Sequence, residues 1–154
     1  MAWGKLGAVM ITIRPVGVAD AARVAVLLGQ LGYPADAGRV RARLDDWLTD
    51  ERSVLLAAEV DGVVLGVAAL HVIPLLEHDE DRGRLVALVV DDTHRGLGVG
   101  RRLVAEVEHE ARRLGCRELE VTSARVRDAA HGFYRSLGYE DVCESAARFL
   151  KPLN

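Results

Sequence analysis

Leu85-Val86-Ala87-Leu88-Val89-Val90-Asp91-Asp92-Thr93-His94-Arg95-Gly96-Leu97-Gly98-Val99-Gly100-Arg101-Arg102-Leu103 is the stretch whose reading decides the fold. Its first six residues are an unbroken apolar run, the pattern of a strand buried on both faces. A short polar connection and a glycine-rich turn follow. Leu103, Val104, Val107, Ala111 and Leu114 then recur at helical spacing, and Gly115 stands where a helix would end. Glycine lets backbone approach a ligand closely because no Cβ intervenes. A helix start offers unpaired N–H groups and the positive end of its dipole. Together they make a cradle suited to a pyrophosphate, and Arg95, Arg101 and Arg102 add positive charge beside it.

Several readings compete for this turn. A P-loop requires Lys and then Ser or Thr after the last glycine, whereas Gly100 is followed by Arg101 and Arg102. A dinucleotide fingerprint requires GxGxxG directly after the strand; here the third glycine is misplaced and the strand ends several residues earlier. A plain turn with a glycine-rich helix start stays open on these residues alone.

Working outward, Met10 to Val16 reads as a strand ended by Pro15 and Gly17. Asp20 offers an N-cap to a helix carrying Val24, Leu27, Leu28 and Leu31 on one face, stopped by Gly32 and Pro34. Val40, Leu44, Trp47 and Leu48 mark a second amphipathic helix. Val54 to Val60 and Val63 to Val72 are strands joined by Asp61-Gly62, a hairpin signal. Glu77 to Gly83 is a polar loop before the strand Arg84 to Val90. Beyond the long helix, Glu118 to Thr122 alternates as a strand. Asp128 begins a short helix with Phe133, Tyr134 and Leu137, and Tyr139 to Glu144 and Ala146 to Leu150 are candidate closing strands.

This order predicts a mixed α/β sheet with helices on its faces. A chain of 154 residues suits one domain. Residues 10–154 are read as that domain, and residues 1–9 as an N-terminal extension. The net charge of −3 argues against a protein that coats nucleic acid. No apolar run is long enough to span a bilayer. Cys116 and Cys143 lack metal-like spacing and read as reduced thiols of a cytoplasmic protein, with no metal expected.

Arg95-x-x-Gly98-x-Gly100, set between an apolar strand and an amphipathic helix, resembles the coenzyme A signature of the GNAT superfamily of N-acetyltransferases, Gln/Arg-x-x-Gly-x-Gly/Ala. Ala130-His131-Gly132-Phe133-Tyr134-Arg135-Ser136-Leu137-Gly138-Tyr139 resembles the later family motif, an FY pair followed by Leu-Gly-aromatic. The element order matches from Met10 to Leu150.

The resemblance implies a mostly antiparallel central sheet of six to seven strands with helices on both faces. It implies that acetyl-CoA is the co-substrate, its pyrophosphate held by backbone N–H groups of Arg95, Gly96, Leu97, Gly98, Val99, Gly100 and Arg101. Leu88, Val89 and Val90 lie on the strand that, in relatives, splays at a bulge and pairs with the pantetheine arm. A free N–H near Val89 or Val90 would bind the thioester oxygen. Tyr134 matches the tyrosine that protonates or hydrogen-bonds the departing thiolate; a phenol, with a pKa near 10, is a proton donor at neutral pH. Many relatives carry Asn seven residues before this tyrosine, where this chain has Arg127.

The side chains have plainer readings too. Tyr134 on a short helix after Phe133 is also a packing residue. His131 reads as packing or capping. His71, in an apolar strand, is a candidate for lining an acceptor pocket. Glu77, His78, Asp79, Glu80 and Asp81 read as a solvated loop or as an attractor of a cationic amine. No general base stands out.

The expected activity is transfer of acetyl to an amine of a small molecule or protein by direct attack in a ternary complex. The alternatives are a non-catalytic acyl-CoA-binding sensor on the same fold and, less favoured, a nucleotide-binding oxidoreductase. The expected acceptor is a cationic amine, with no nucleic-acid or membrane partner; a homodimer is left open.

Overall fold

The computed structural model describes residues 10–123 and 127–154. The expected extension at residues 1–9 lies outside them. The chain forms two compact units, one running to Thr122 and one from Ser123.

The first unit is built on a five-stranded sheet in the order β1-β2-β3-β4-β5: β1 Thr12–Pro15, β2 Ser53–Val60, β3 Val63–Ile73, β4 Asp81–Val90 and β5 Cys116–Val121. The first three pairings are antiparallel and β4 pairs β5 in parallel. The β2–β3 hairpin closes on Asp61-Gly62, both with positive φ (49° and 78°), with Val60 opposite Val63. That two-residue geometry matches the twist of paired strands. A parallel pair needs a crossover, which α3 (Val99–Arg113) supplies between β4 and β5.

Helices α1 (Ala21–Leu31) and α2 (Ala37–Thr49) cover one face of the sheet. Val24 and Leu27 of α1 and Val40 and Leu44 of α2 pack with Ala57, Val67 and Val89. Helix α3 covers the other. A Cβ on Gly66 would lie 2.9 Å from Leu103 Cδ1 and 3.0 Å from Val99 Cγ1. Gly66 and Val67 are neighbours pointing to opposite faces, as pleating requires, so helices lie on both sides. Asp20 does not cap α1 through its side chain. Its carboxylate instead takes the Gly17 N–H at 2.8 Å and pairs with Arg14.

The second unit holds α4 (Asp128–Ser136), which ends at Gly138 with φ 91° and with Tyr139 N–H donating to Tyr134 O at 3.0 Å. Tyr139–Glu144 and Ala146–Leu150 are not strands. The expectation of six to seven strands is therefore corrected to five among the described residues. A strand needs a partner's edge to satisfy its backbone. Here those groups close local turns: Ser145 and Ala146 N–H both reach Val142 O, and Cys143 N–H reaches Asp141 Oδ1. Phe149 and Leu150 stay 93% and 82% exposed, so no face is buried to fix a register.

Candidate active site

The apolar run of β4 is not buried on both faces. Leu85 and Val89 are buried, Ala87, Leu88 and Val90 are half-buried, and Val86 is 50% exposed. The register explains the difference. Ala69 lies opposite Ala87 and Leu70 opposite Leu85, so Val86 is an extra residue on β4, a bulge. Pairing of β4 with β5 stops at the same point, with Leu85 opposite Val121. From Val86 to Val90 no described strand lies along the second edge of β4. Asp91 N–H donates to Leu65 O at 2.7 Å. Because antiparallel ladders alternate, Val89 N–H then faces β3, whereas Leu88 and Val90 turn theirs to the open edge.

The turn after β4 is clamped to α1. Asp91 is buried and ion-paired with Arg23, whose Nε also donates to Val64 O at 2.7 Å. Its Oδ1 accepts from Thr93 Oγ1 at 2.7 Å and Thr93 N–H at 3.0 Å. The Thr93 hydroxyl and N–H, and then Arg23, hold the Asp91 carboxyl well below the usual carboxylate range. Asp92 N–H adds a bond to Gln30 Oε1 at 2.9 Å.

Gly96 and Gly98 then adopt positive φ of 83° and 82°, a left-handed conformation that side chains resist. Gly98 is the N-cap of α3 and makes no side-chain cap; the first bond of the helix is Arg102 N–H to Gly98 O at 3.1 Å. The N–H groups of Val99, Gly100 and Arg101 are therefore open at the positive pole of a 15-residue helix. Arg95, Gly96, Leu97, Gly98 and Arg101 are exposed, and Arg95 and Arg101 form no ion pair among the described residues. Arg102 differs: its Nη2 donates to Ile11 O at 3.2 Å, tying α3 to the chain ahead of β1. The backbone and two free guanidiniums fit a pyrophosphate.

In the second unit Tyr134 is half-buried, edge-on to Phe133 at 5.3 Å and Tyr139 at 5.8 Å between centroids. Burial raises its phenol pKa above the ordinary value, against the opposing pull of Arg127. Burial, with help from Asp81, likewise raises the Cys116 thiol, which makes it a poor nucleophile.

Back in the first unit, a cleft of about 400 Å³ opens on the α1/α2 side. It is lined by Asp46, Trp47, Ser53, His71, Arg84 and Val86, among others. His71 thus lines a cleft that the bulge residue also reaches. Sequence reading gave no functional role to Asp46, Asp50, Ser53, Trp47 or Val86. It read Trp47 as core packing and Val86 as one member of a buried run. Glu77 to Glu80 precede β4, at the opposite end of that strand from the glycine turn, and are exposed; Asp81, the first residue of β4, faces Arg52 at 3.9 Å. No described helix is long and apolar enough to cross a membrane.

Residues 22–139 match the family described as Acetyltransferase (GNAT) family, and the chain belongs to that family of N-acetyltransferases. It is 37% identical over 151 residues to an aminoglycoside N(6')-acetyltransferase type 1 of Stenotrophomonas maltophilia, covering 92% of this chain and 94% of that one. In fold it is similar to an aminoglycoside N-acetyltransferase solved in complex with CoA, with a TM-score of 0.79, 20% identity and coverage of 94% and 95% of the two chains. It is also similar to a GNAT family acetyltransferase of Staphylococcus aureus, with a TM-score of 0.77, 23% identity and coverage of 93% and 98%.

Proposed function

We propose that the protein transfers acetyl from acetyl-CoA to the primary amine of a small molecule by direct attack, without an acyl-enzyme. One observation carries this reading: β4 parts from β5 at its bulge, and the open edge runs straight into a glycine-kinked helix start with three open N–H groups. A pyrophosphate at α3, held by N–H groups from Gly98 to Arg101 and by Arg95 and Arg101, leaves a pantetheine arm free to run along Leu88–Val90. Its amides would pair with that edge as a strand would.

The outward N–H groups of Leu88 and Val90 are the proposed donors to the thioester oxygen. Such a donor acts where charge grows during attack. The amine lone pair forms the C–N bond and the carbonyl pair moves to oxygen. Collapse breaks the C–S bond, and sulfur leaves with its electron pair. Tyr134 is the proposed donor of the proton that sulfur takes. Holding amine and thioester in line accounts for most of the rate. The half-buried Cys116, with its raised pKa, gives no support to a thioester on the enzyme.

The test is a thiol-release assay with acetyl-CoA and a panel of amines, paired with calorimetric titration of acetyl-CoA. Binding with amine-dependent thiol release upholds the proposal. Binding without release for any amine points to the sensor reading, and no binding overturns both.

A further inference from the structure

We infer that the cleft beside the β4 bulge receives a cationic amine and that Nε2 of His71 takes its proton; this deepens the acetyl-transfer reading and rests on it. The inference starts from hydrogen-bond arithmetic. Ser53 has one hydroxyl proton, and Ser53 Oγ donates to Asp50 Oδ2 at 2.7 Å. A carboxylate can only accept. The same Oγ lies 3.0 Å from His71 Nδ1. With its proton already given to Asp50, Ser53 must accept there, so Nδ1 carries the ring proton. The lone pair of neutral His71 therefore sits on Nε2, which has no partner among the described residues. A bond at one ring nitrogen fixes what the other does.

The surroundings suit a base that must hold a proton briefly. Asp50 Oδ2 lies 3.6 Å from Nδ1, ready to stabilise an imidazolium. The Ser53 hydroxyl and then Arg52 N–H lower the Asp50 pKa, which keeps it ionised. Asp46 lines the same cleft from the last turn of α2, a turn with no basic residue. An acid at a helix C-terminus opposes the dipole, so the placement serves a cation rather than the helix. Trp47 adds an aromatic face, 6.5 Å from the His71 ring. The cation facing His71 across the sheet, Arg84, is neutralised by Glu120 at 2.6 Å, and neighbouring Arg52 faces Asp81.

Val86 connects this cleft to the chemistry. It lines the cleft and is the residue at which β4 bulges, two positions before Leu88. Two residues of strand span about 7 Å, so an amine in the cleft lies within reach of a thioester on the open edge. The ammonium gives one proton to Nε2, which releases it to solvent. The nitrogen loses its second proton as the C–S bond breaks, and that proton makes good the one Tyr134 gives to sulfur, so the products are amide, free thiol and one proton. Ser53 and Asp50 are positioning residues, acting through His71.

The experiment measures kcat/KM against pH for the wild type, His71→Gln and Ser53→Ala. Spermidine and kanamycin serve as cationic acceptors and glucosamine 6-phosphate as an anionic one. Acetyl-CoA Kd is measured in parallel. His71→Gln should lose about 10²-fold in kcat/KM near neutral pH and should lose the acid limb of the profile. Its acetyl-CoA Kd should be unchanged. Ser53→Ala should keep the fold and move the acid limb, and imidazole should partly restore His71→Ala. The inference is overturned if His71→Gln keeps its rate and acid limb, or if the phosphorylated amine is preferred to both cations. Wild-type protein that releases no thiol with any amine instead brings down the acetyl-transfer reading, before His71 is put to the question.

Discussion

Arg23 on α1 and Asp91 at the end of β4 form an ion pair that fixes the start of the turn leading to α3. Arg23 also bonds Val64 O, so one guanidinium joins α1, β3 and β4.

Replacing Asp91 tests that junction. Asp91→Asn leaves Arg23 without its counter-ion and should cost about 1–3 kcal/mol. For a chain of this size the Tm should fall by about 5 °C. The pH dependence has a definite sign. The folded pKa lies below the ordinary value, so the stabilisation is complete above about pH 4 and is lost as pH falls through the folded value. Thermal melts should therefore show a constant gap between wild type and variant from about pH 7 to 5, narrowing only in stronger acid.

At Gly66 the sheet passes close against α3. The added methyl of Gly66→Ala would meet Leu103, Val99 and Val89 O at 2.9, 3.0 and 3.1 Å. The two side-chain ends can yield, but the carbonyl on β4 cannot move without disturbing the open edge. Overpacking of this kind costs about 1–3 kcal/mol. Chemical denaturation should report that loss, and acetyl-CoA titration should report weaker binding, because α3 carries the proposed pyrophosphate cradle.

Gly98 offers the converse case, since a Cβ there meets nothing within 4 Å. Gly98→Ala imposes only the strain of a left-handed residue, about 1–2 kcal/mol. Relief of that strain would rotate the N–H groups of the first turn. A rise in acetyl-CoA Kd of about tenfold, equivalent to ~1.4 kcal/mol, is expected by calorimetry.

For Tyr134, removal of one oxygen is the cleanest probe. Tyr134→Phe should lower kcat by about 10²-fold while acetyl-CoA Kd stays near the wild-type value. Because burial raises this phenol's pKa, the wild type should keep its proton donor up to at least about pH 10, the ordinary phenol value. A wild-type alkaline limb well below that, or an unaffected variant kcat, would remove Tyr134 from the mechanism.

Local rules were legible wherever one short segment decides the outcome. Asp61-Gly62 announced its hairpin and the stripe from Leu103 to Ala111 announced α3, whereas the left-handed turn at Gly98 that begins the helix came from the structure. The bulge was not legible, because Val86 has the same chemistry as its neighbours and only the register against Ala69 and Leu70 sets it apart. The Asp50–Ser53–His71 network was hidden for a related reason. Ser53 and His71 are separated by a whole hairpin and meet only through β2–β3 pairing. The closing strands were overread at Tyr139–Glu144 and Ala146–Leu150, where among the described residues no partner edge pairs with them.

The parting of β4 from β5 also bears on how the protein behaves in a tube. The margin from Val86 to Val90 is short and largely apolar and meets no described strand, and such an edge is the kind of surface on which chains stick to one another. On the proposed function, saturating coenzyme occupies that rim and favours the native state by mass action. Concentrated stocks should therefore stay clear longer with coenzyme A present than without it.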